Sequence, residues 1–495
     1  MSHGEPTRFA ALGLRDEPDD EQLVSLLRPP DWVNPEPAAR YDLVVLGGGT
    51  AGLVAAAGSA GLGARVALIE AALLGGDCLV TGCIPSKTLL RGAATPNANF
   101  EDVMRRVRAV RAEIAPHDSA QRFRDELGVD VFFGRGRFVS RRGLEVDGTP
   151  IAFRRALIAT GARPTIPAIQ GLDTVPFLTS ETVFSLETLP ARLAILGAGP
   201  IGCELAQAFA RLGSAVTLIE EGPRILPRDD PDAVQCLAAQ FENEGIAMQT
   251  QTRLVRVSSA SGGIRLELEG RGAPTQLEVE RLLVAVGRTP HVEGLGLEAA
   301  GVTTAPSGIE VDARLRTRNR RIFAAGDVCL EAKFTHAADL AARTVVRNAL
   351  FFGRRRFNAA SIPRSTYTDP EIAHLGLGPL DSKLAGQETQ TFTRHFADVD
   401  RARTEGDTRG FVRIHVRRGS DRIVGATIVG PHAGDLISEI GVAMAGGVGL
   451  ARLSEIVHPY PTRAEAIRQC GDEYNRTRLT PFVRRLFSAI LRLQT

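Results

Sequence analysis

The residues best suited to chemistry lie in one short stretch, Gly75-Gly76-Asp77-Cys78-Leu79-Val80-Thr81-Gly82-Cys83-Ile84-Pro85-Ser86-Lys87. It holds two thiols, with an amine four positions after the second. Proline is tolerated in the first turn of a helix, so Pro85 and the apolar residues after it predict a helix that begins near Cys83. A thiol at a helix N-terminus has its thiolate favoured by the free N–H groups and the dipole. Lys87 falls on the same helical face as Cys83. The stretch therefore suits reversible thiol–disulfide chemistry with one stabilised thiolate. The other cysteines, Cys203, Cys236, Cys329 and Cys470, are isolated and read as small core residues. Six cysteines in 495 residues are too few for a disulfide-stapled scaffold, and no C-x-x-C or H-x-x-x-H spacing suggests a bound metal.

A repeated element is placed to serve this pair. The strand-like run Tyr41 to Leu46 enters Gly47-Gly48-Gly49-Thr50-Ala51-Gly52, a small-residue helix follows, and Arg65 to Ile69 ends in Glu70. In such a G-x-G-x-x-G turn Gly47 allows the tight bend, Gly49 lets backbone approach a pyrophosphate, and Gly52 lets helix lie on strand. The helix N-terminus offers N–H groups to phosphate, and Glu70 can accept from ribose hydroxyls. The uncharged run Leu43 to Ala64 is thus read as strand, turn and helix rather than a membrane span. The unit recurs at Gly197-Ala198-Gly199-Pro200-Ile201-Gly202 and ends at Glu220, with the same spacing of 23 from first glycine to carboxylate. A further echo links Leu157-Ile158-Ala159-Thr160-Gly161-Ala162-Arg163-Pro164 to Leu283-Val284-Ala285-Val286-Gly287-Arg288-Thr289-Pro290. Two dinucleotides side by side suggest an electron relay between a nicotinamide and a flavin. Glu220 would repel a 2′-phosphate, so NADH is expected before NADPH.

Composition bounds the rest. The length suits about three domains, and 44% hydrophobic with 23% charged residues suits globular cores. The net charge of +2 advertises no nucleic-acid surface. Lysine occurs only at Lys87, Lys333 and Lys383 in an arginine-rich chain. Acidic and basic residues interrupt the first forty positions, which gives no signal-peptide apolar region and makes the cytoplasm the expected compartment. A short capped helix is expected over Asp20 to Leu27, before a proline-rich linker.

From about Tyr41 to Cys470 the chain resembles the class I pyridine nucleotide-disulfide oxidoreductases, in particular the mercuric reductase-like subgroup. The resemblance implies an α/β fold: two Rossmann-like, glutathione reductase-like dinucleotide-binding domains plus an α+β C-terminal dimerisation domain. The implied division is an N-terminal extension 1–40, an FAD-binding domain 41–185 and 288–358, an NAD(P)-binding domain 186–287, and an interface domain 359–495. Thr368-Asp369-Pro370-Glu371 lies near the start of the interface domain, whose homodimer would share active sites between chains. Cys78 matches the interchange thiol and Cys83 the charge-transfer thiol beside the flavin. Lys87 matches the lysine near the flavin, and Glu204 the carboxylate that pairs with it. Gly326 and Asp327 match the second flavin motif, in which the aspartate binds the ribityl chain. Gly76, Gly82, Thr160, Gly161, Gly287 and Ala337 fall at further cofactor positions, and His336 near the flavin.

The departures concern the acceptor. Disulfide reductases of this family carry His-Pro-Thr-x-x-Glu, in which the histidine protonates the leaving thiol and the glutamate orients it. Here the run is Tyr460-Pro461-Thr462-Arg463-Ala464-Glu465. Tyrosine, with a reference pKa of about 10, is a poor base at neutral pH, but it can support a soft metal held by thiolates, as in mercuric reductases. His458 is a weaker candidate for the histidine's role. Cys470 stands alone and residues 1–40 hold no cysteine, so the thiols that deliver mercury in that subgroup are not seen. The expected acceptor is a metal ion or a small thiol or disulfide. Dihydrolipoamide dehydrogenase and a redox sensor without steady turnover stay open as alternatives. Val483, Leu486, Phe487, Ile490 and Leu491 form an apolar stripe beside Arg484, Arg485 and Arg492, expected to pack on the dimer rather than on a membrane.

Overall fold

The computed structural model describes residues 12–493 except 271, 273, 379, 380, 382–385 and 387, so Lys383 lies outside the described residues. The chain divides into two compact units. One contains the chain up to Pro223 together with Gly245–Ala359; the other contains Arg224–Glu244 and the chain from Ala360 onward. The helix Pro231–Asn243, which the sequence division assigns to the second nucleotide-binding domain, groups with the C-terminal unit.

The first unit carries two sheets of related design. In one, Tyr41–Leu46 lies between Val66–Glu70 and Thr149–Ile158, parallel to both, and Asp130–Phe133 and Ile322–Ala324 extend the parallel array. Two antiparallel strands, Gly143–Val146 and Gly136–Ser140, complete its edge. The other sheet is parallel throughout, in the order Ala247–Gln249, Ala215–Ile219, Arg192–Leu196, Arg281–Val284. Continuous apolar runs such as Leu43 to Leu46 suit strands covered on both faces, and all four residues are buried. The uncharged stretch after Leu43 is strand and helix, as its two periods predict. Helix Thr50–Gly61 buries Ala51, Gly52, Ala55, Ala56 and Ser59, small residues that let it lie close to its neighbours.

Toward the N-terminus a helix spans Pro18–Leu27, two residues earlier than expected. The expected side-chain cap is not formed. Glu17 occupies the cap position without a capping bond, and Asp20 lies inside the helix. Asp20 is 1% exposed and bonds Arg111 at 2.7 Å and the Arg15 N–H at 3.0 Å, so a tertiary partner has claimed its carboxylate.

In the C-terminal unit an antiparallel five-stranded sheet runs in the order Arg364–Thr366, Ile372–Gly376, Ile423–Val429, Phe411–Arg417, Thr389–His395. Helices Ala433–Gly446 and Glu465–Thr477 cover it through a core that includes Ile428, Ile437, Ile467 and Cys470. The whole is an α/β fold with a separate α+β C-terminal unit.

Candidate active site

The two phosphate turns match in atomic detail. Gly47 has φ +109°, and a Cβ there would lie 2.3 Å from the Ala159 carbonyl oxygen; a Cβ on Gly52 would lie 1.8 Å from that of Gly47. At Gly197 and Gly202 the corresponding distances are 2.6 Å to Ala285 O and 2.0 Å to Gly197 O. Only glycine closes either turn. The middle glycines differ from these, because a Cβ on Gly49 would meet nothing nearer than 3.8 Å and one on Gly199 nothing within 4 Å. That open backbone, before helices that start at Thr50 and Pro200, fits a pyrophosphate. The carboxylates are held alike. Glu70 accepts from the N–H groups of Gly48 and Ala72, both at 2.6 Å, and Glu220 from those of Ala198 at 2.9 Å and Gly222 at 2.8 Å. Burial pushes the Glu70 pKa up while the backbone N–H groups oppose it.

The remaining cofactor candidates divide between the turns: Thr160 and Gly326 lie against Gly47 and Ala51, while Gly287 follows Val286, which lies against Gly197. The echoed segments pair with each other, Ala162–Pro164 antiparallel to Arg288–Pro290. Thr160 donates its hydroxyl to the His291 carbonyl at 2.7 Å, the Gly161 carbonyl accepts from His291 N–H at 2.9 Å, and that of Gly287 accepts from Thr165 N–H at 2.9 Å. Gly326 (φ +81°) leads into Asp327, whose pKa burial raises while Arg288 and Lys333 oppose it. Arg288 Nε lies 3.3 Å from the Asp327 carboxylate, and the same guanidinium pairs with Asp77. Lys333 donates to the carbonyls of Asp327 and Leu330 at 2.9 and 3.3 Å. Ala337 is buried in helix Thr335–Leu350, and His336 stacks on Phe334 at 5.3 Å. A carboxylate among cations, next to a Gly326 that packs against Ala51 of the first turn, fits the sugar and phosphate groups of a dinucleotide.

The dithiol follows the first of these turns in sequence and bonds back into the same unit. Cys78 belongs to the short helix Gly76–Val80, and Cys83 opens helix Cys83–Ala93. Gly82 lets the two join closely, since a Cβ there would lie 2.7 Å from the Asp77 carbonyl. Gly76 packs its Cα region against Gly49, tying the redox segment to the first phosphate turn. Both thiols are partly buried. The Thr335 hydroxyl lies 3.3 Å from each sulfur. The hydrogen bond with Cys78, helped by Thr335 and the nearby Lys87 ammonium, lowers the Cys83 pKa to about 6. The same bond, with burial, pushes the Cys78 thiol well above its ordinary value. Of the two thiols, Cys83 is thus the more acidic. Lys87 is held at 2.7 Å by the buried carboxylate of Glu204, on helix Pro200–Arg211.

Sequence reasoning missed three participants. Thr335 immediately precedes His336 and Ala337, yet nothing local indicates that it reaches sulfurs more than 250 positions away. The Arg288–Asp77 pair and the bond from Arg111 to the Val80 carbonyl at 3.0 Å are likewise visible only in the fold.

The C-terminal unit holds the other candidates. Tyr460 is 70% exposed and donates its hydroxyl to Asp400 at 2.9 Å, a bond that pushes its pKa up. Glu465 bonds Arg468 at 3.1 Å. Both ring nitrogens of His458 are engaged, one with the Ile456 carbonyl and one with Glu439, each at 2.9 Å. Burial raises the thiol pKa of Cys236, pushes that of Cys329 up to about 12, and raises that of the fully buried Cys470, so none is primed to react. Among the described residues no group of three or more histidine, cysteine or acidic side chains could hold a metal ion.

Residues 41–343 match the pyridine nucleotide-disulphide oxidoreductase family, and residues 362–470 match that family's dimerisation domain. The chain belongs to this family. A mercuric reductase of Streptomyces lividans is 37% identical over 456 residues, which is 88% of this chain and 96% of that protein. A dihydrolipoyl dehydrogenase of Bacillus subtilis is 31% identical, covering 88% of this chain and 98% of its own. Among solved structures, the Cu(II) complex of the HOCl-induced flavoprotein disulfide reductase RclA from Escherichia coli superposes with a TM-score of 0.81 at 30% identity, over 88% of this chain and 99% of that one. The oxidoreductase is thus an FAD-dependent enzyme that uses NAD(P)H, mercuric reductase-like in sequence, with a dimerisation domain that supports a homodimer. No helix among its described residues is long and apolar enough to cross a membrane.

Proposed function

We propose that this oxidoreductase takes electrons from NADH and delivers them through the Cys78–Cys83 pair to a soft acceptor, a thiophilic metal ion or a small disulfide. The observation that carries the reading is the shared hydroxyl of Thr335, which binds both sulfurs while Cys83 alone has a lowered pKa. Bound FAD supplies two-electron transfer between the nicotinamide and the Cys78–Cys83 disulfide.

The protein's own groups then divide the work. Opening the disulfide with two electrons and one proton yields the Cys83 thiolate and the Cys78 thiol. Lys87, fixed by Glu204, and the Thr335 hydroxyl hold the negative charge on Cys83. Cys78 meets the acceptor, and its proton passes to the departing thiolate of a disulfide or, with a metal ion, to solvent. With a disulfide it forms a mixed disulfide and releases one thiol. Attack by Cys83 on the Cys78 sulfur then restores the pair and releases the second. With a metal ion, both sulfurs bind it as thiolates, and return of the pair to the disulfide gives up the two electrons that reduce the ion. Glu220 at the end of its strand disfavours a 2′-phosphate, so NADH is the donor in this reading.

Tyr460 favours the metal ion over the disulfide. A tyrosine whose pKa is raised further by Asp400 cannot take up and return a leaving-group proton at neutral pH as histidine does. In the homodimer it would act from the partner chain.

An anaerobic NADH titration of the pure protein tests the reading. The long-wavelength absorbance of a thiolate against flavin should appear with wild type and be absent from Cys83→Ser; its persistence in that variant refutes the assignment. Steady NADH oxidation with Hg(II), Cu(II), lipoamide, glutathione disulfide or a quinone then identifies the acceptor. Fast lipoamide turnover in both directions would replace the metal reading with a lipoamide one, and no turnover with any acceptor would favour a sensor.

A further inference from the structure

The helix Pro481–Leu493 takes no part in the redox site. At about 100° per residue, Phe482, Leu486, Phe487, Ile490, Leu491 and Leu493 fall within one apolar arc of roughly 200°. Arg484, Arg485, Ser488 and Arg492 share the narrow remainder. None of the helix's thirteen residues is buried, and Phe482, Leu491 and Leu493 are 74%, 64% and 87% exposed. Soluble surfaces carry single exposed apolar residues, but not contiguous faces of this kind without a partner.

Charge identifies the partner. From Tyr474 onward the sequence contains five arginines and no acidic residue. Two copies packed through their apolar arcs would leave their arginine rows facing outward, with no acidic side chain in the segment to match them. The matched dimerisation domain ends at residue 470, before the helix begins. A bilayer surface with anionic headgroups satisfies both faces: the apolar arc enters the acyl boundary while the arginines meet the headgroups. Thirteen residues at about 1.5 Å each give a helix of about 20 Å, short of a hydrocarbon core of about 30 Å, so it would lie in the membrane plane. Sequence patterning favours subunit packing for this stripe; its one-signed charge favours lipid.

We propose that helix Pro481–Leu493 is a reversible anchor to an anionic membrane surface, which brings the reductase to that surface without spanning it. The test floats the full-length holoenzyme with vesicles of phosphatidylglycerol and phosphatidylcholine, and with vesicles of phosphatidylcholine alone. Binding to the anionic vesicles is expected, weakening as salt rises. Each basic residue near such a surface contributes roughly fivefold in affinity, so Arg484→Glu/Arg485→Glu should weaken binding about 25-fold or more. Leu486→Glu/Phe487→Glu should remove it. An unchanged FAD content and flavin spectrum shows that the variants are folded. Absence of flotation with either vesicle, or equal flotation with both, overturns the proposal. So does dissociation of the dimer by the apolar substitutions in sedimentation, which would make this face a subunit contact.

Discussion

The hydroxyl of Thr335 stands 3.3 Å from the sulfur of Cys83 and equally close to that of Cys78. A hydrogen bond to a charged group is worth about 1.5–3 kcal/mol, and one pKa unit corresponds to about 1.4 kcal/mol. Thr335→Val should therefore raise the Cys83 pKa by about one unit, while Thr335→Ser restores it. The readout is the pH titration of the long-wavelength band after reduction by NADH. An unchanged titration in Thr335→Val would show that the hydroxyl only packs there.

The pH dependence of the reduced enzyme follows from Cys83 itself. Its pKa falls from the ordinary 9.0 to about 6 on folding. Stabilisation by the thiolate is thus complete above pH 9 and is lost as pH falls through about 6. Thiolate absorbance of the reduced protein should have its midpoint near pH 6. Lys87→Met removes the nearby ammonium and should move that midpoint upward. Lys87→Arg keeps a positive charge but replaces a compact ammonium with a planar guanidinium. It should leave FAD bound while slowing reduction by NADH about tenfold or more, followed by stopped flow.

The duplicated turns can be separated by substitution. A Cβ at Gly52 would overlap the Gly47 carbonyl, and one at Gly202 the Gly197 carbonyl. Gly52→Ala should yield protein depleted of FAD. Gly202→Ala should keep its FAD but lose most of its response to NADH. Flavin content per chain and the NADH dependence of turnover distinguish the two, and loss of FAD from Gly202→Ala would contradict the assignment of the second turn.

Asp20 and Arg111 form an ion pair in which both side chains are essentially inaccessible, 1% and 0% exposed. Arg111 also donates to the Val80 carbonyl, so the pair fastens the helix Pro18–Leu27 to the redox segment. Removing one partner of a buried pair leaves a charge uncompensated and costs about 3–5 kcal/mol. Asp20→Ala should lower the unfolding temperature sharply, and Asp20→Leu/Arg111→Met should recover most of the loss. Calorimetry on wild type, Asp20→Leu, Arg111→Met and the double variant gives the coupling directly.

Tyr460→Phe removes only the hydroxyl that binds Asp400. In the proposed reading it should leave reduction of the enzyme by NADH unchanged and lower steady turnover of the metal acceptor about tenfold or more. Tyr460→His should raise turnover of small disulfides. If both variants match wild type with every acceptor, the residue is structural.

The sequence by itself determined the local machinery. The two G-x-G-x-x-G turns, their carboxylates 23 positions on, and Cys83 at a helix start are set by covalent spacing, backbone sterics and side-chain periodicity, all of which act over a few residues. Glu70 and Glu220 even bind the same two backbone positions of their own units. Only the tertiary structure decided which distant groups complete the site: Thr335 on both sulfurs, Arg288 on Asp77 and Asp327, and Arg111 between Asp20 and Val80. The Lys87–Glu204 pair was expected only through family resemblance, and the fold supplied its 2.7 Å contact. Such contacts depend on packing between elements far apart in the chain. A threonine that bridges two sulfurs has the same local sequence signature as one on any helix surface.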